Sequence, residues 1–164
     1  MDVVLLSDTH IMSRAAALSE WVREAIEAAD HVIHAGDFDS RPAYEEIRAL
    51  AADLTAVEGN TDGRYGLPSV ATVDLEGVRF VVTHGTGPDE GYERRVVDIV
   101  DEHAATSRPT LGVSGHTHRV LETEVDGYRL CNPGSATAAW PAMRETLFVA
   151  TVNDGDVSLE LRSR

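Results

Sequence analysis

The chain has 164 residues, 43% hydrophobic and 26% charged, values typical of one compact globular domain with its own core. Acidic residues outnumber basic ones by 28 to 14, which gives a formal net charge of −14, and every basic residue is an arginine. A surface this negative repels nucleic-acid backbones and anionic membranes, so we expect a small substrate as the partner, and neither long nucleic acid nor a membrane.

The acidic residues are dispersed along the whole chain, which is typical of a solvated surface and not of an acidic tail. Two explanations remain: an unusually acidic mesophilic protein, or a halophilic protein whose self-repulsion is screened by high salt. We favour the halophilic explanation. The sequence shows no signal peptide and only one cysteine, Cys131, so we expect a cytoplasmic protein without an internal disulfide.

The first third of the chain predicts a βαβαβ pattern. Apolar runs at residues 3–6, 31–35 and 54–57 are typical of strands buried on both faces. Helical spacing of apolar residues predicts one helix between Leu18 and Ala29 and a second between Pro42 and Ala51.

The rest of the chain is richer in hairpins. Residues 70–75 and 78–83 flank a Glu-Gly turn, 120–125 and 128–131 flank Asp-Gly, and 147–152 and 157–161 flank Asn-Asp-Gly. A third helix, Tyr92–His103, and a buried strand at 110–114 lie between the first two hairpins. We therefore predict a single α/β domain spanning residues 1–164, with about ten strands and three helices.

Five predicted strands end in side chains that can bind a metal, most with a glycine beside them. The carboxyl ends of parallel strands form one crevice, so these side chains are expected to converge although they are far apart in sequence. The segments are Ser7-Asp8-Thr9-His10, Gly36-Asp37, Gly59-Asn60-Thr61-Asp62, Thr83-His84-Gly85 and Gly115-His116-Thr117-His118.

Carboxylate, amide and imidazole donors without a thiolate suit manganese, iron, zinc, nickel or cobalt better than calcium. Two such ions about 3.5–4 Å apart can polarise a phosphoryl group and activate a hydroxide between them, so no side-chain nucleophile is needed. His116 and His118 point the same way if their segment is extended; otherwise a loop must turn each ring inward. The sequence contains no nucleophile elbow, Walker loop or His-Glu-x-x-His helix.

With these blocks in this order, the chain resembles the calcineurin-like metallophosphoesterases, in particular the small bacterial and archaeal phosphodiesterases, a group that includes the eukaryotic retromer subunit. A further matching block is Asn132-Pro133-Gly134-Ser135, which the residues themselves predict to be mainly a turn. The resemblance implies a four-layer αββα sandwich, with two mixed β-sheets flanked by helices.

The resemblance also implies the role of each candidate ligand. Asp8, His10 and His118 would hold one divalent ion, and Asn60, His84 and His116 would hold the other. Asp37 would bridge the two ions, and Asn60 would also touch the substrate phosphate. The catalytic residues it implies are therefore Asp37, Asn60 and His84, with manganese expected first and nickel, iron, zinc or cobalt as alternatives.

One position departs from many relatives, which carry a histidine after the Gly-Asn pair. Here that position is Thr61. A histidine can protonate a leaving oxygen, whereas a neutral hydroxyl is a poor general acid. We therefore expect phosphodiesters, or substrates whose leaving groups are already stabilised.

Several other residues near these blocks have two readings. Asp62 either orients a ligand histidine or caps a turn, and Arg119 and Arg64 either reach a substrate phosphate or are surface arginines. We interpret His34 as a satisfied buried histidine or a partner of a ligand. We interpret Asp39 as a loop acid without a role. Trp140 either faces a partner or closes the site, and together with the hairpin edges it leaves room for a homodimer.

Three functions remain as alternatives. The first is a dinuclear metal-dependent phosphodiesterase acting on a small phosphate ester. The second is a protein-binding scaffold of the same fold, and the third is a phosphomonoesterase or nucleotidase.

Overall fold

The computed structural model describes all residues, 1–164, and contains ten strands and three helices. The strands are β1 (Asp2–Leu6), β2 (His31–His34), β3 (Leu54–Ala56), β4 (Val70–Leu75), β5 (Val78–Thr83), β6 (Thr110–Val113), β7 (Val120–Val125), β8 (Tyr128–Pro133), β9 (Thr146–Asn153) and β10 (Asp156–Ser163). The helices are α1 (Glu20–Ala28), α2 (Arg41–Leu50) and α3 (Tyr92–His103). None of these helices is long and apolar enough to span a membrane.

The strands form two mixed five-stranded sheets. The first sheet has the order β10-β9-β1-β2-β3, and the second has the order β4-β5-β6-β8-β7. Strands β1, β2 and β3 are parallel in the first sheet, and β5, β6 and β8 are parallel in the second. The hairpin partners add antiparallel edges to both sheets. This arrangement confirms the predicted sandwich of two mixed sheets.

The apolar side chains separate into three clusters that correspond to the spaces between four layers. Alternate residues of β1 point to opposite faces: Val3 and Leu5 lie between the two sheets, whereas Val4 and Leu6 lie under α1 and α2. A third cluster lies between α3 and the second sheet. Because central strands such as β1 are covered on both faces, they read as continuous apolar runs in the sequence.

One predicted turn is partly wrong. Asn132 and Pro133 are the last two residues of β8, and only Gly134 and Ser135 leave the strand. The strand continues because β7 pairs with it as far as Val120 opposite Pro133. The asparagine side chain is therefore fixed at the end of an interior strand, between β6 and β7.

Gly112 in β6 lies where α3 packs most closely on the second sheet. A Cβ atom there would lie 2.6 Å from Val100 of α3 and 2.6 Å from Leu130 of β8. Both neighbours are fully packed, with 0% and 1% of their surface exposed. The close packing of helix on sheet therefore requires the absence of a side chain at this position.

We expect Gly112→Val to destabilise the protein by about 1–3 kcal/mol, because overpacking forces neighbouring side chains out of their rotamers. The midpoint of urea unfolding measures this effect. Ser158→Val is the control, since it introduces the same side chain at an exposed position of β10. An unchanged midpoint in Gly112→Val would contradict the packing described for α3.

Candidate metal centre

Seven polar side chains meet at the carboxyl-terminal ends of the parallel strands, between the two sheets. They follow β1, β2 and β3 in the first sheet and β5 and β6 in the second. Five of them are buried, whereas Asn60 is exposed and His116 is half-buried, so these two form the mouth of the centre. The buried five are Asp8, His10, Asp37, His84 and His118.

One group of donors consists of Asp8, His10 and His118, whose candidate ligand atoms all lie within 4.8 Å of one another. The Nε2 atoms of the two histidines are 3.0 Å apart. Oδ1 of Asp8 lies 3.3 Å from Nε2 of His118 and 3.8 Å from Nε2 of His10. The three side chains therefore surround one small space.

A second group lies beside the first. The Oδ1 atom of Asn60 is 3.1 Å from Nε2 of His84 and 2.8 Å from Nδ1 of His116. Oδ2 of Asp37 lies between the two groups, 3.3 Å from Nε2 of His84 and 3.4 Å from Nε2 of His10. Asp8 also approaches both groups, because its carboxylate, that of Asp37 and the His84 ring form a second triad within 4.8 Å.

The four histidines share one feature that decides how they present their nitrogens. Each ring has one nitrogen at hydrogen-bond distance from a carbonyl or carboxylate oxygen. These contacts are His10 Nδ1 with Asp39 Oδ1 (2.9 Å), His84 Nδ1 with Ala35 O (2.7 Å), His116 Nε2 with Gly87 O (2.7 Å) and His118 Nδ1 with Ala139 O (2.8 Å). Such an oxygen only accepts, so we assign the proton of each neutral ring to the nitrogen that faces it. The other nitrogen then directs a lone pair into the centre.

The centre is therefore lined by acceptors alone: imidazole lone pairs, two carboxylates and an amide oxygen. Lone pairs that face each other at about 3 Å repel unless a proton or a cation lies between them. This donor set and its inward direction fit a site for divalent cations, because metal-binding histidines use their second nitrogen in this way.

The electrostatics of the buried residues also favour positive charge in the centre. Burial raises the pKa of Asp8 to about 7. Burial lowers the pKa of His84, but the hydrogen bond with Asp37 and the charges of Asp8 and Asp37 outweigh it, so this pKa lies above its ordinary value. Burial would raise the pKa of Asp37, yet His84 and the backbone N–H of Thr61 hold it below its ordinary value.

The backbone that carries these residues is unusual. Five of the seven residues have a positive φ, in the left-handed region, although none of them is a glycine. These are Asp8 (φ 52°), His10 (44°), Asp37 (62°), His116 (73°) and His118 (56°). The left-handed values at His116 and His118 show that a loop, and not an extended strand, turns both rings inward. Such conformations cost about 1–3 kcal/mol each and occur mainly at functional sites.

The profile of the calcineurin-like phosphoesterase superfamily domain matches residues 1–155 of the chain. The chain belongs to this superfamily. Its membership implies a phosphoesterase that works with divalent metal ions, and it agrees with the inward-facing donors described above.

Individual proteins support the same assignment. A probable metallophosphoesterase of Methanothermobacter thermautotrophicus is 32% identical over 139 residues, which cover 84% of this chain and 78% of the relative. A phosphodiesterase of Methanocaldococcus jannaschii is 26% identical over 150 residues, covering 82% and 83%. A crystal structure of Entamoeba histolytica Vps29 complexed with Zn²⁺ superposes with a TM-score of 0.75 at 22% identity, covering 100% and 98%. The resemblance to the superfamily and to the retromer subunit is thereby confirmed.

In this phosphoesterase, Asp62 anchors the loop that carries Asp37. Its Oδ2 accepts the backbone N–H groups of Asp37 (2.9 Å) and Gly59 (2.8 Å), and its Oδ1 accepts those of Phe38 (2.7 Å) and Asp39 (3.0 Å). All four bonds go to the backbone and none goes to a histidine. Of the two readings of Asp62, the structure supports the carboxylate that caps a turn.

Asp39 has a contact that the sequence interpretation missed. The prediction that it is a loop acid without a role is wrong, because its side chain is only 8% exposed and its Oδ1 lies 2.9 Å from Nδ1 of His10. Its carboxylate also accepts hydrogen bonds from the hydroxyls of Thr61 and Ser13. A polar loop of this kind gives no periodic signal, so only the folded chain shows which acid reaches the histidine.

The side chains of Arg119, Arg64 and His34 form no hydrogen bond or ion pair with the seven donors. Arg119 is exposed and forms an ion pair with Asp89 at 3.3 Å, and Arg64 is exposed. His34 is fully buried, and its Nδ1 accepts the N–H of Gly36 at 3.1 Å. Burial holds the pKa of His34 well below its ordinary value. His34 is thus a buried histidine with satisfied hydrogen bonds.

Two residues that hold the histidine loop were not identified from the sequence as site residues. The Tyr92 hydroxyl lies 2.8 Å from Oγ of Ser114 and 2.7 Å from the carbonyl of Gly115. The amide of Asn132 donates to that hydroxyl, to the same carbonyl and to Oγ1 of Thr117. In the sequence, Tyr92 occupies an apolar position of the third helix, and this spacing does not show that its hydroxyl forms hydrogen bonds.

We expect Asp62→Ala to destabilise the protein by at least about 2 kcal/mol, because it leaves three backbone N–H groups of the loop after β2 and one of the loop after β3 without their acceptor. Asp62→Asn should lie between this variant and the parent, since an amide retains one accepting oxygen. Urea unfolding measures both changes. Equal stability of all three proteins would show that the loop does not depend on this carboxylate.

We expect divalent cations to stabilise the folded protein. Manganese at one hundred times its dissociation constant should add about 2.7 kcal/mol to the free energy of unfolding, and a chelator should reverse the gain. Thermal unfolding with and without Mn²⁺ measures this effect. His118→Ala should reduce the gain, whereas His103→Gln, which alters a histidine on α3, should retain it. A gain that is identical in His118→Ala would contradict binding at this centre.

Proposed function

We propose that the protein hydrolyses phosphodiesters of small molecules with two divalent cations held at this centre. Asp8, His10 and His118 would hold one cation, and Asn60, His84 and His116 would hold the other. Asp37 would serve both, in keeping with its Oδ2 atom, which lies 3.3 Å and 3.4 Å from a histidine of each group. When bound, such cations polarise phosphoryl oxygens and lower the pKa of water.

One observation carries this proposal above the others. Four imidazoles, two carboxylates and one amide meet in one space, and an oxygen lies behind each ring, which favours the tautomer whose other nitrogen accepts toward that space. A histidine cluster with a purely structural role would pair its nitrogens with donors as well as acceptors. The whole arrangement therefore supports cation binding as its purpose.

The chain's own residues shape the rest of the reaction. Asn60 and His116 lie at the open mouth, where a phosphate group can enter, and the buried residues behind them exclude bulk water. Ser7 and Thr9, the two hydroxyl residues that flank Asp8, are both buried. Ser7 donates to the carbonyl of Gly134 at 2.7 Å and Thr9 donates to the carbonyl of Asp37 at 3.4 Å, so neither is free to attack. Water is therefore the nucleophile that we propose.

The preference for diesters follows from Thr61. Its hydroxyl is exposed and already donates to the carboxylate of Asp39, so it is poorly suited to protonate a leaving group. Substrates whose leaving groups need no proton are favoured. The similarity to an archaeal phosphodiesterase supports the same choice.

The identity of the metal follows from the donor set and from availability. Mixed oxygen and imidazole donors accept manganese, nickel, iron, zinc and cobalt. We propose manganese first, because three of the seven donors are oxygens from carboxylates or an amide. The zinc in a structure of the related Vps29 shows that this fold also accepts a softer ion in that protein.

A protein-binding scaffold is the second candidate function. The structural likeness to Vps29 favours it, and the zinc in that structure means that metal binding alone does not separate a scaffold from an enzyme. Hydrolysis does separate them, because a scaffold needs no turnover. The full donor set of this chain supports the enzyme.

The test is the hydrolysis of bis-p-nitrophenyl phosphate with Mn²⁺, compared with p-nitrophenyl phosphate as the monoester. We expect turnover that a chelator abolishes and a higher rate on the diester. Asp37→Ala and His116→Ala should each lower kcat/KM at least about a hundredfold, since each removes a group that acts in the transition state.

The control for these variants is His103→Gln, which removes an imidazole whose Nδ1 contacts the carbonyl of Ile99 on α3. It should retain the parent's activity. The absence of turnover with manganese, nickel, cobalt, iron and zinc would favour the scaffold. A higher rate on the monoester would favour a phosphomonoesterase.

A further inference from the structure

Three apolar side chains stand out on the surface of the protein. Trp140, Met143 and Met12 are 73%, 86% and 77% exposed, whereas the next large hydrophobic residue, Leu161, is 46% exposed. Burying such a side chain is worth about 1.5–3 kcal/mol, so three nearly bare ones on two loops indicate a place where something binds.

The loop that carries Trp140 is attached directly to the metal centre. The carbonyl of Ala139, the preceding residue, accepts from Nδ1 of His118 at 2.8 Å. Earlier in the same loop, Oγ of Ser135 donates to the carbonyl of Asp8, one of the proposed ligands, at 2.7 Å. The exposed indole is therefore carried by a fixed segment at the edge of the centre.

The loop that carries Met12 lies beside it. The backbone N–H groups of residues 13–15 all bond to the carbonyl of His10, which wraps this loop around the histidine. The guanidinium of Arg14 donates from Nη1 to the carbonyl of Trp140 at 3.0 Å, so the two loops are joined. Both loops thus border the end of the centre formed by His10 and His118.

The positive charge at this edge comes from Arg14. Eight of the 14 arginines form ion pairs with acidic residues, whereas the guanidinium of Arg14 forms none and donates to the carbonyl of Trp140. In a chain with a net charge of −14, an arginine without an acidic partner beside an exposed indole can attract an anion with an apolar part.

We propose that Trp140, with Met12 and Arg14, forms a subsite for a flat aromatic group carried by the phosphate ester that enters the metal centre. An indole offers a face on which a planar ring stacks. The arginine adds attraction for the phosphate. This proposal rests on the proposed function for its catalytic part, but the binding part is tested separately.

A second copy of the chain is a weaker occupant for this surface. A stable dimer buries about 800 Å² on each partner, far more than three side chains supply. Two copies would also bring together surfaces that each carry a net charge of −14. A small anionic ligand meets neither obstacle.

The binding test uses two anions that the protein cannot hydrolyse, phenylphosphonate and methylphosphonate, titrated calorimetrically into the manganese-loaded protein. Both carry the same phosphonate group, so the ratio of their dissociation constants reports the replacement of the methyl group by the phenyl ring. We expect the parent to bind phenylphosphonate about five- to tenfold more tightly. Trp140→Ala should bring the ratio close to one, and Trp140→Phe should retain most of it.

The control is Leu161→Ala on the edge strand β10, which removes an exposed hydrophobic side chain and should leave the ratio unchanged. A ratio that persists in Trp140→Ala would overturn the subsite. Sedimentation tests the alternative occupant. If the parent is a dimer, Trp140→Ala is a monomer and the ratio of dissociation constants is the same in both, the surface joins two copies and the subsite is overturned.

The kinetic test compares bis-p-nitrophenyl phosphate with methyl p-nitrophenyl phosphate, which has the same leaving group but no aromatic ring on the retained side. Trp140→Ala should raise KM about fivefold for the first substrate and leave kcat and the second substrate unchanged. Equal effects on both substrates would contradict the subsite. If Trp140→Ala abolishes the parent's preference for phenylphosphonate but the parent hydrolyses neither diester, the proposed function fails and the subsite stands.

Discussion

The centre depends on the oxygen that stands behind each imidazole. Three main-chain carbonyls and one carboxylate fix four rings, and through them the direction of four lone pairs. If these oxygens were replaced by donors, the same histidines would present N–H groups to the centre and could not serve as ligands. Metal affinity is thus a property of the main-chain loops as much as of the side chains that meet the ion.

The two sheets contribute to this centre in nearly equal parts. Residues after β1 and β2 supply Asp8, His10 and Asp37, and residues after β5 and β6 supply His84 and the two histidines of the last loop. The spacing of the donors is therefore set by the cluster packed between the sheets, which includes Phe80 and Leu5. Packing inside the sandwich and chemistry at its edge are coupled, because a shift of one sheet would separate the two sets of donors.

Much of the fold was readable from the sequence, because central strands covered on both faces leave continuous apolar runs and hairpins leave Gly turns. The limits of strands such as Val70–Leu75 and of the helix Tyr92–His103 agree with the structure. The carboxyl-terminal end of β8 was harder to predict, since Asn132 and Pro133 have the composition of a turn but pair with β7. Local composition could not reveal a partner supplied by another strand.

The convergence of the seven donors could be anticipated because strand ends share one edge of a sheet. The roles of Asp39 and Asp62 could not, although both are loop acids of similar context. One contacts a histidine and the other accepts four backbone N–H groups. Asp37 and Asp39 have a left-handed backbone, and isolated turns of this kind leave no periodic pattern in the sequence.

The left-handed backbone of the donor residues has a consequence for how this chain can change over time. At a φ of 44° to 73°, glycine or asparagine would relax the main chain, so random substitution there can raise stability while it removes a donor. Lineages freed from the need for turnover would be expected to accumulate such replacements first at these positions. A homologue that carries glycine where this chain has Asp8 or His10 would thus have lost a donor side chain and gained a less strained main chain.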